Sequence, residues 1–192
     1  MKKIGVLALQ GDFSKHMKTL TAAGACGVEV RESSDIEKID GLILPGGEST
    51  TIGKLLERYR MIEPLKQFAA AGKPIYGTCA GGILLAKNIE KYNQVKLDLL
   101  DITIARNAYG RQIESFEADI PAPSLGELPL RGVFIRAPVI TRMGKGVELI
   151  AQFGGSPVFI RQGNIIVTTF HPELTDDLRV HRFFLSLAQD GP

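Results

Sequence analysis

No apolar run in the sequence approaches the roughly 20 residues that a membrane-spanning helix needs. The first one, in MKKIGVLALQGDF, follows two lysines but is ended by Gly11 and Asp12 after seven residues. It reads as a first buried strand, not as a signal peptide. Cysteine is scarce: two in 192 residues, which excludes a disulfide framework and makes the cytoplasm the expected compartment. A dominant charge sign is missing as well. The 23 Lys and Arg nearly balance the 21 Asp and Glu, for a net charge of +2, so no field favours nucleic acid or an anionic membrane. Small molecules or proteins are the expected partners. Internal repeats, low-complexity tracts and linkers are also absent. With 44% hydrophobic residues, one domain spanning residues 1–192 is the default.

What is present is an alternation. Segments rich in Ile, Val and Leu at 3–10, 41–47 and 73–79 have the texture of strands buried on both faces. Each is followed by apolar residues at helical spacing, over 13–23, over 50–59 with 64–71, and over 80–89. This predicts an α/β fold, a three-layer sandwich with a mostly parallel central sheet. From about Ile102 to Phe170 short alternating segments predict further strands, partly antiparallel. The three prolines in PAPSLGELPLRG, 121–132, predict a loop or an edge excursion there. Residues 176–188 return to a helical pattern. In such sheets ligands bind outside the carboxyl ends of the strands, where Gln10, Gly46 to Ser49 and Cys79 fall.

Gly77-Thr78-Cys79-Ala80-Gly81 has the spacing of a nucleophile elbow, with Cys in place of Ser. A sharp strand-to-helix turn projects that side chain outward, and the flanking glycines remove side chains that would clash. A helix starting just after Cys79 favours the thiolate, and the Ala80 N–H could steady an oxyanion. A small buried cysteine in an ordinary turn would look the same over five residues. Cys26 lies among small residues with no helix following at the right place, and is expected to be structural.

A thiolate attacking a carbonyl needs a base, and the base needs a group to hold its tautomer. Among three histidines, His171 alone follows a predicted strand, in TFHPELTDD, with Pro172 stiffening the turn and Glu173 close enough to orient the ring. Pro172 and Glu173 alone would equally suit the start of a helix. His16, in FSKHMKTL, is expected on a solvated helix surface, and His181 in the last helix. No spacing among Cys and His suggests a zinc site, so no metal is expected.

The loop PGGESTT, 45–51, ends another predicted strand and can present bare backbone N–H groups. It could bind phosphate at a helix N-terminus, supply an oxyanion donor beside Cys79, or be a glycine turn with a Ser/Thr cap. The P-loop pattern is absent. Glu48 would repel phosphate but could accept hydrogen bonds from an ammonium group, which suits an amino-acid substrate.

Together, the G-x-C-x-G elbow, the upstream Pro-Gly-Gly loop and the downstream His-Pro-Glu resemble the class I, or triad, glutamine amidotransferases. Within that class the chain resembles the glutaminase subunits of pyridoxal 5′-phosphate synthases. The matching segments are IGVLALQGD, GLILPGGESTTI, GTCAG, ARNAYGRQIESFEADI, GVFIRAP and FHPELTDDLRVHRFF, spread over residues 4–184.

The resemblance implies a flavodoxin-like fold and hydrolysis of L-glutamine by Cys79, His171 and Glu173 through a glutamyl thioester. It implies an oxyanion hole from Gly46, Gly47 and Ala80. Glutamine binding would fall to Gly46, Gly47, Glu48, Ser49, Arg106, Ile135 and Arg136, and a partner-interface or activation role to Gln10. No cofactor is implied. The ammonia would pass to a separate barrel-fold synthase subunit. An elbow-cysteine hydrolase or peptidase, or a non-catalytic regulatory subunit, are the alternatives. One departure stands out: Gly82 replaces the larger apolar residue usual after GTCAG, and a glycine there loosens a helix by up to ~1 kcal/mol.

Overall fold

The computed structural model describes residues 2–106 and 115–189. Part of the matched segment ARNAYGRQIESFEADI, at 107–114, lies outside the described residues. In chain order the elements are β1 (Lys3–Leu7), α1 (Phe13–Ala22), β2 (Cys26–Val30), α2 (Ser33–Ile36), β3 (Gly41–Leu44), α3 (Ser49–Arg58), α4 (Ile62–Ala70) and β4 (Ile75–Thr78). They continue with α5 (Ala80–Leu85), β5 (Ala86–Ile89), β6 (Leu100–Ala105), β7 (Ser115–Ile120), β8 (Leu130–Ile135), β9 (Val139–Met143) and β10 (Glu148–Phe153). The last are β11 (Ser156–Gln162), β12 (Ile165–Thr168) and α6 (Arg179–Gln189). Two 3-10 turns occupy Pro123–Leu125 and Pro172–Leu174.

The central sheet has seven strands in the order β10-β11-β12-β4-β3-β1-β2. Strands β12, β4, β3, β1 and β2 are mutually parallel, while β11 and β10 extend the sheet antiparallel. Both faces are covered because alternate residues of one strand point opposite ways. Leu42 and Leu44 of β3, Ile75 of β4 and Val167 of β12 join one buried cluster with α3, α4 and α5. Ile43, Tyr76 and Ile166 join the other, with Leu20 of α1 and Val180, Phe184 and Leu187 of α6. Two smaller sheets, β5-β6-β9 and β7-β8, add to these layers on opposite sides. The expected three-layer α/β sandwich with antiparallel strands in the second half is what forms.

From β1 the chain moves to one side to form β2, then crosses back to the other to form β3 and β4. The topological switch therefore lies between β1 and β3, and a crevice opens at their carboxyl ends. Two contacts knit it together: Asp12 N–H donates to Gly46 C=O at 3.1 Å, and Glu48 N–H donates to the Gln10 side-chain oxygen at 2.9 Å.

Three expected boundaries need correction. The helix expected over 80–89 ends at Leu85, because Ala86 turns extended and the chain enters β5, paired parallel with β6. A short apolar run does not distinguish helix from buried strand, and the pairing decides. The last helix starts at Arg179, three residues later than the pattern suggested. Asp177 accepts from the Arg179 N–H at 3.0 Å and so satisfies the first turn. The proline-rich stretch is a loop with a 3-10 turn only as far as Pro129, since Leu130 already pairs with Ile120.

Gly82 has a packing reason. It is buried in α5 against β12, and a Cβ built on it would sit 2.6 Å from a methyl of Val167. Any side chain there must displace a β-branched residue in the middle of the sheet. Gly82→Ala should therefore lower stability by about 1–3 kcal/mol despite the better helix propensity of alanine. In urea denaturation, Val167→Ala in the Gly82→Ala background should recover much of that loss. Strict additivity of the two substitutions would contradict the packing account.

Candidate active site

β4 runs straight into the elbow. Cys79 takes φ 49° and ψ −101°, a left-handed backbone that a non-glycine residue holds only when its surroundings impose it. Here the Cys79 N–H is fixed to Thr168 C=O of β12 at 2.8 Å, and its own C=O accepts from the Ile83 N–H at 3.2 Å. Gly81 lets α5 pass directly over β3, since a Cβ there would run into the Leu44 carbonyl oxygen. The result is a cysteine at the crevice floor with the N-terminus of α5 behind it, as the spacing predicted.

His171 follows β12 and is tethered by its N–H to Val133 C=O of β8 at 2.8 Å. Pro172 opens a 3-10 turn that swings Glu173 back under the ring, and His171 Nδ1 meets Glu173 Oε1 at 2.7 Å. Gly46 makes room for this: a Cβ there would overlap His171 Cε1. With Nδ1 committed to the carboxylate, Nε2 is the nitrogen left for Cys79. His171 and Glu173 are 7% and 4% exposed.

Burial works against a charged imidazole at His171, but its interactions with Cys79 and Glu173 outweigh it and raise the pKa to about 10. Burial likewise pushes the Glu173 carboxyl up, and the positive potential and hydrogen bonding of His16 and His171 bring it well below the ordinary carboxylate range. The arrangement holds a proton next to a sulfur nucleophile, ready to be given to a leaving group.

Around them is a cleft of about 290 Å³, lined by Gln10, Gly46, Gly47, Glu48, Ser49, Cys79, Ala80, Arg106, Ile135, Arg136 and His171 among others. Every residue singled out from the sequence lines it except Glu173, which lies behind His171. At one end Arg106 Nη2 and Glu48 Oε1 pair at 2.8 Å. Glu48 also accepts from the Thr50 N–H and hydroxyl, capping α3. Partial burial raises the Glu48 carboxyl, but the Thr50 hydrogen bonds and the charges of Arg106 and Arg136 lower it overall. Ile135 ends β8, and Arg136 takes a left-handed backbone, φ 43°.

Sequence reasoning missed three participants. Gln94 accepts from Arg106 at 3.0 Å and from the Ser49 hydroxyl at 3.3 Å, and Tyr92 lies under the Arg106 guanidinium, 4.7 Å from ring centre to Cζ. Neither carries a local signal. His16 is not solvated, as expected, but fully buried: it contacts His181, Thr78 and Glu173. Its position three residues after Phe13 and four before Leu20 puts it on the inward face of α1, and that spacing could have revealed it. Cys26 is unpaired in β2, away from the cleft. Among the described residues no group of three His, Cys, Asp or Glu could hold a metal ion, and no helix is long and apolar enough to cross a membrane.

A family model described as the SNO glutamine amidotransferase family matches residues 6–189. The chain belongs to that family. It is 56% identical over 183 residues to the pyridoxal 5′-phosphate synthase subunit PdxT of Pelotomaculum thermopropionicum, covering 95% of this chain and 93% of the relative. It is 51% identical to the protein of the same name from Desulforudis audaxviator, covering 98% of this chain and all of the relative. A solved structure described as a glutamine amidotransferase superimposes with a TM-score of 0.93 at 49% identity, over 97% of this chain and 98% of the other. The flavodoxin-like class I amidotransferase fold expected from the motifs is thus the fold of this family member.

The buried histidines predict the pH dependence of stability. His171 is raised to about 10, so its contribution is complete below the ordinary histidine value of 6.5 and is lost as pH climbs toward 10. His181 is lowered to about 3, by burial first and then by His16. The unfolded chain then takes up a proton that the fold refuses, and stability falls as pH drops from about 6.5 toward 3. Glu173 adds loss below its ordinary value of 4.5. Urea midpoints should peak near pH 6.5, and His181→Asn should flatten the acid side between pH 6.5 and 5. An unchanged acid slope in that variant would contradict the assignment.

Proposed function

We propose that this chain is a single glutaminase domain over residues 1–192, releasing ammonia from L-glutamine through Cys79, His171 and Glu173. The observation that carries the reading is the meeting, at the ends of β4 and β12, of an elbow cysteine with a histidine whose Nδ1 is 2.7 Å from a buried carboxylate. Cys79 Sγ attacks the side-chain amide carbon, with its proton held on His171 Nε2. The tetrahedral oxyanion is met by backbone N–H groups of Ala80 and of the Gly46–Gly47 loop. Because Gly46 C=O is turned toward Asp12, the Gly47 N–H projects from the opposite side of that peptide.

Collapse of the intermediate breaks the C–N bond, and His171 gives its proton to the departing nitrogen. A glutamyl thioester remains on Cys79 and ammonia leaves. Water then attacks the thioester carbon, giving a proton to His171. Glutamate departs and the proton returns to the sulfur. The sum is glutamine plus water to glutamate plus ammonia.

The far end of the cleft suits a free amino acid. Arg106 and Glu48 offer a planar cation and an anion side by side, for the carboxylate and ammonium of a zwitterion. Gly46, Gly47, Ser49, Ile135 and Arg136 would complete the glutamine site. The ammonia acceptor is proposed to be the barrel-fold synthase subunit, a reading supported by the name its relatives carry. Gln10 braces the glycine loop through Glu48 N–H, and a partner seated on Gln10 would act on the oxyanion donors.

Glutamate release from glutamine, measured with the synthase present, should fall at least 10³-fold in Cys79→Ala, while the variant stays folded. Unchanged ammonia production in that variant, or hydrolysis of peptide amides with none of glutamine by the wild type, would overturn the proposal.

A further inference from the structure

Behind the cleft, α1, β4 and α6 bring His16, Thr78 and His181 against Glu173, and the chemistry proposed above makes no use of the two histidines. Both are completely buried. His16 Nδ1 is 3.0 Å from His181 Nε2. His16 Nε2 lies 3.1 Å from Thr78 Oγ1 and 3.4 Å from Glu173 Oε1, the same oxygen that receives His171. Tyr76 of β4 closes the cluster, its ring nearly perpendicular to both imidazoles. Among the described residues, no lysine or arginine takes part in these contacts.

Proton bookkeeping sets the tautomers. His181 Nδ1 is buried with no hydrogen-bond partner. An unpaired lone pair on a ring nitrogen costs less there than an unpaired N–H would. His181, held neutral by burial, therefore carries its proton on Nε2 and donates it to His16 Nδ1. His16 must then carry its own proton on Nε2, directed at Thr78 Oγ1 and the Glu173 carboxylate. The opposite assignment would strand an N–H on His181 and aim a lone pair of His16 at an anion.

We propose that His16 is a positioning residue for the triad: its Nε2–H keeps Glu173 ionised and aimed at His171, and His181 fixes the tautomer of His16. The relay runs from α6 through α1 to the turn after β12, and reaches the reacting atoms only through Glu173 and His171. It rests on the glutaminase reading. The chemical consequence has a definite sign. Without the His16 proton, Oε1 of Glu173 is left to His171 alone. Glu173 then binds a proton more readily, and once protonated it no longer supports the imidazolium that faces the Cys79 thiolate. Higher pH is needed to keep that pair charged, so the acid limb of activity moves upward.

The test compares glutamine hydrolysis, with the synthase present and over pH 5–9, in the wild type and in His16→Phe, His16→Gln and His16→Asn, with the melting temperature of each. Glutamine can place an N–H where imidazole Nε2 was; asparagine places its amide near the Nδ1 position instead. The account predicts that His16→Phe and His16→Asn lose at least about 10-fold in kcat, keep KM for glutamine within about twofold, and shift the acid limb up by about one pH unit. His16→Gln should recover most of kcat and the wild-type limb. If His16→Phe fails to fold, the Gln and Asn pair decides alone. Equal activity and equal pH profiles in those two variants, whether both high or both low, would overturn the proposal. A wild type without glutaminase activity would overturn the functional reading instead, so the two failures are distinguishable.

Discussion

Glu173 places a carboxylate at 4% exposure just past the end of β12, and much of the molecule's centre answers that charge. An ionised carboxyl removed from water costs several kcal/mol unless it is paired and hydrogen-bonded. The compensation comes from three elements distant in sequence: His171 from its own turn, His16 from α1, and His181 from α6 acting through His16. Helices α1 and α6 are thus held by polar contact as well as by the apolar cluster around Leu20 and Phe184. The same charge keeps His171 cationic and fixes which of its nitrogens faces Cys79. A structural requirement and a chemical one meet at one oxygen atom.

The crevice above follows from topology. Reversal of strand order between β1 and β3 leaves a gap at their carboxyl ends, and the Gln10 and Gly46 to Glu48 loops meet across it. The glycines there serve distance more than flexibility: Gly46 yields space to the His171 ring, and Gly81 lets α5 lie on the Leu44 carbonyl. With those approaches open, the positive end of α5, the thiol and the Arg106–Glu48 pair fall within one small cleft. That cleft is at the lower end of the range for small-molecule sites, in keeping with an amino-acid ligand.

Much of this was legible along the chain because each part is local. G-x-C-x-G, Pro-Gly-Gly-Glu and His-Pro-Glu each sit within a few residues and each mark a strand end, so alternation of strand and helix sufficed to bring them together. What escaped reading depends on partners distant in sequence. His16 looks solvated beside Lys15 and Lys18, and only its phase on α1 relative to Phe13 and Leu20 betrays burial. Gln94 and Tyr92 acquire their roles from the loop before β6 folding over Arg106. Gly82 is explained by Val167, a residue of a strand formed far later in the chain. The early end of α5 is decided by pairing of β5 with β6, which no local pattern encodes.

The central claim, that the thiol of Cys79 is the nucleophile for glutamine, is tested most directly by covalent trapping. The protein is incubated with the proposed synthase subunit and an electrophilic glutamine analogue, then digested, and the modified peptide is identified by mass spectrometry. A single adduct on Cys79, suppressed by excess glutamine, is the predicted result. Labelling of Cys26, or labelling of Cys79 that glutamine does not protect, would contradict it.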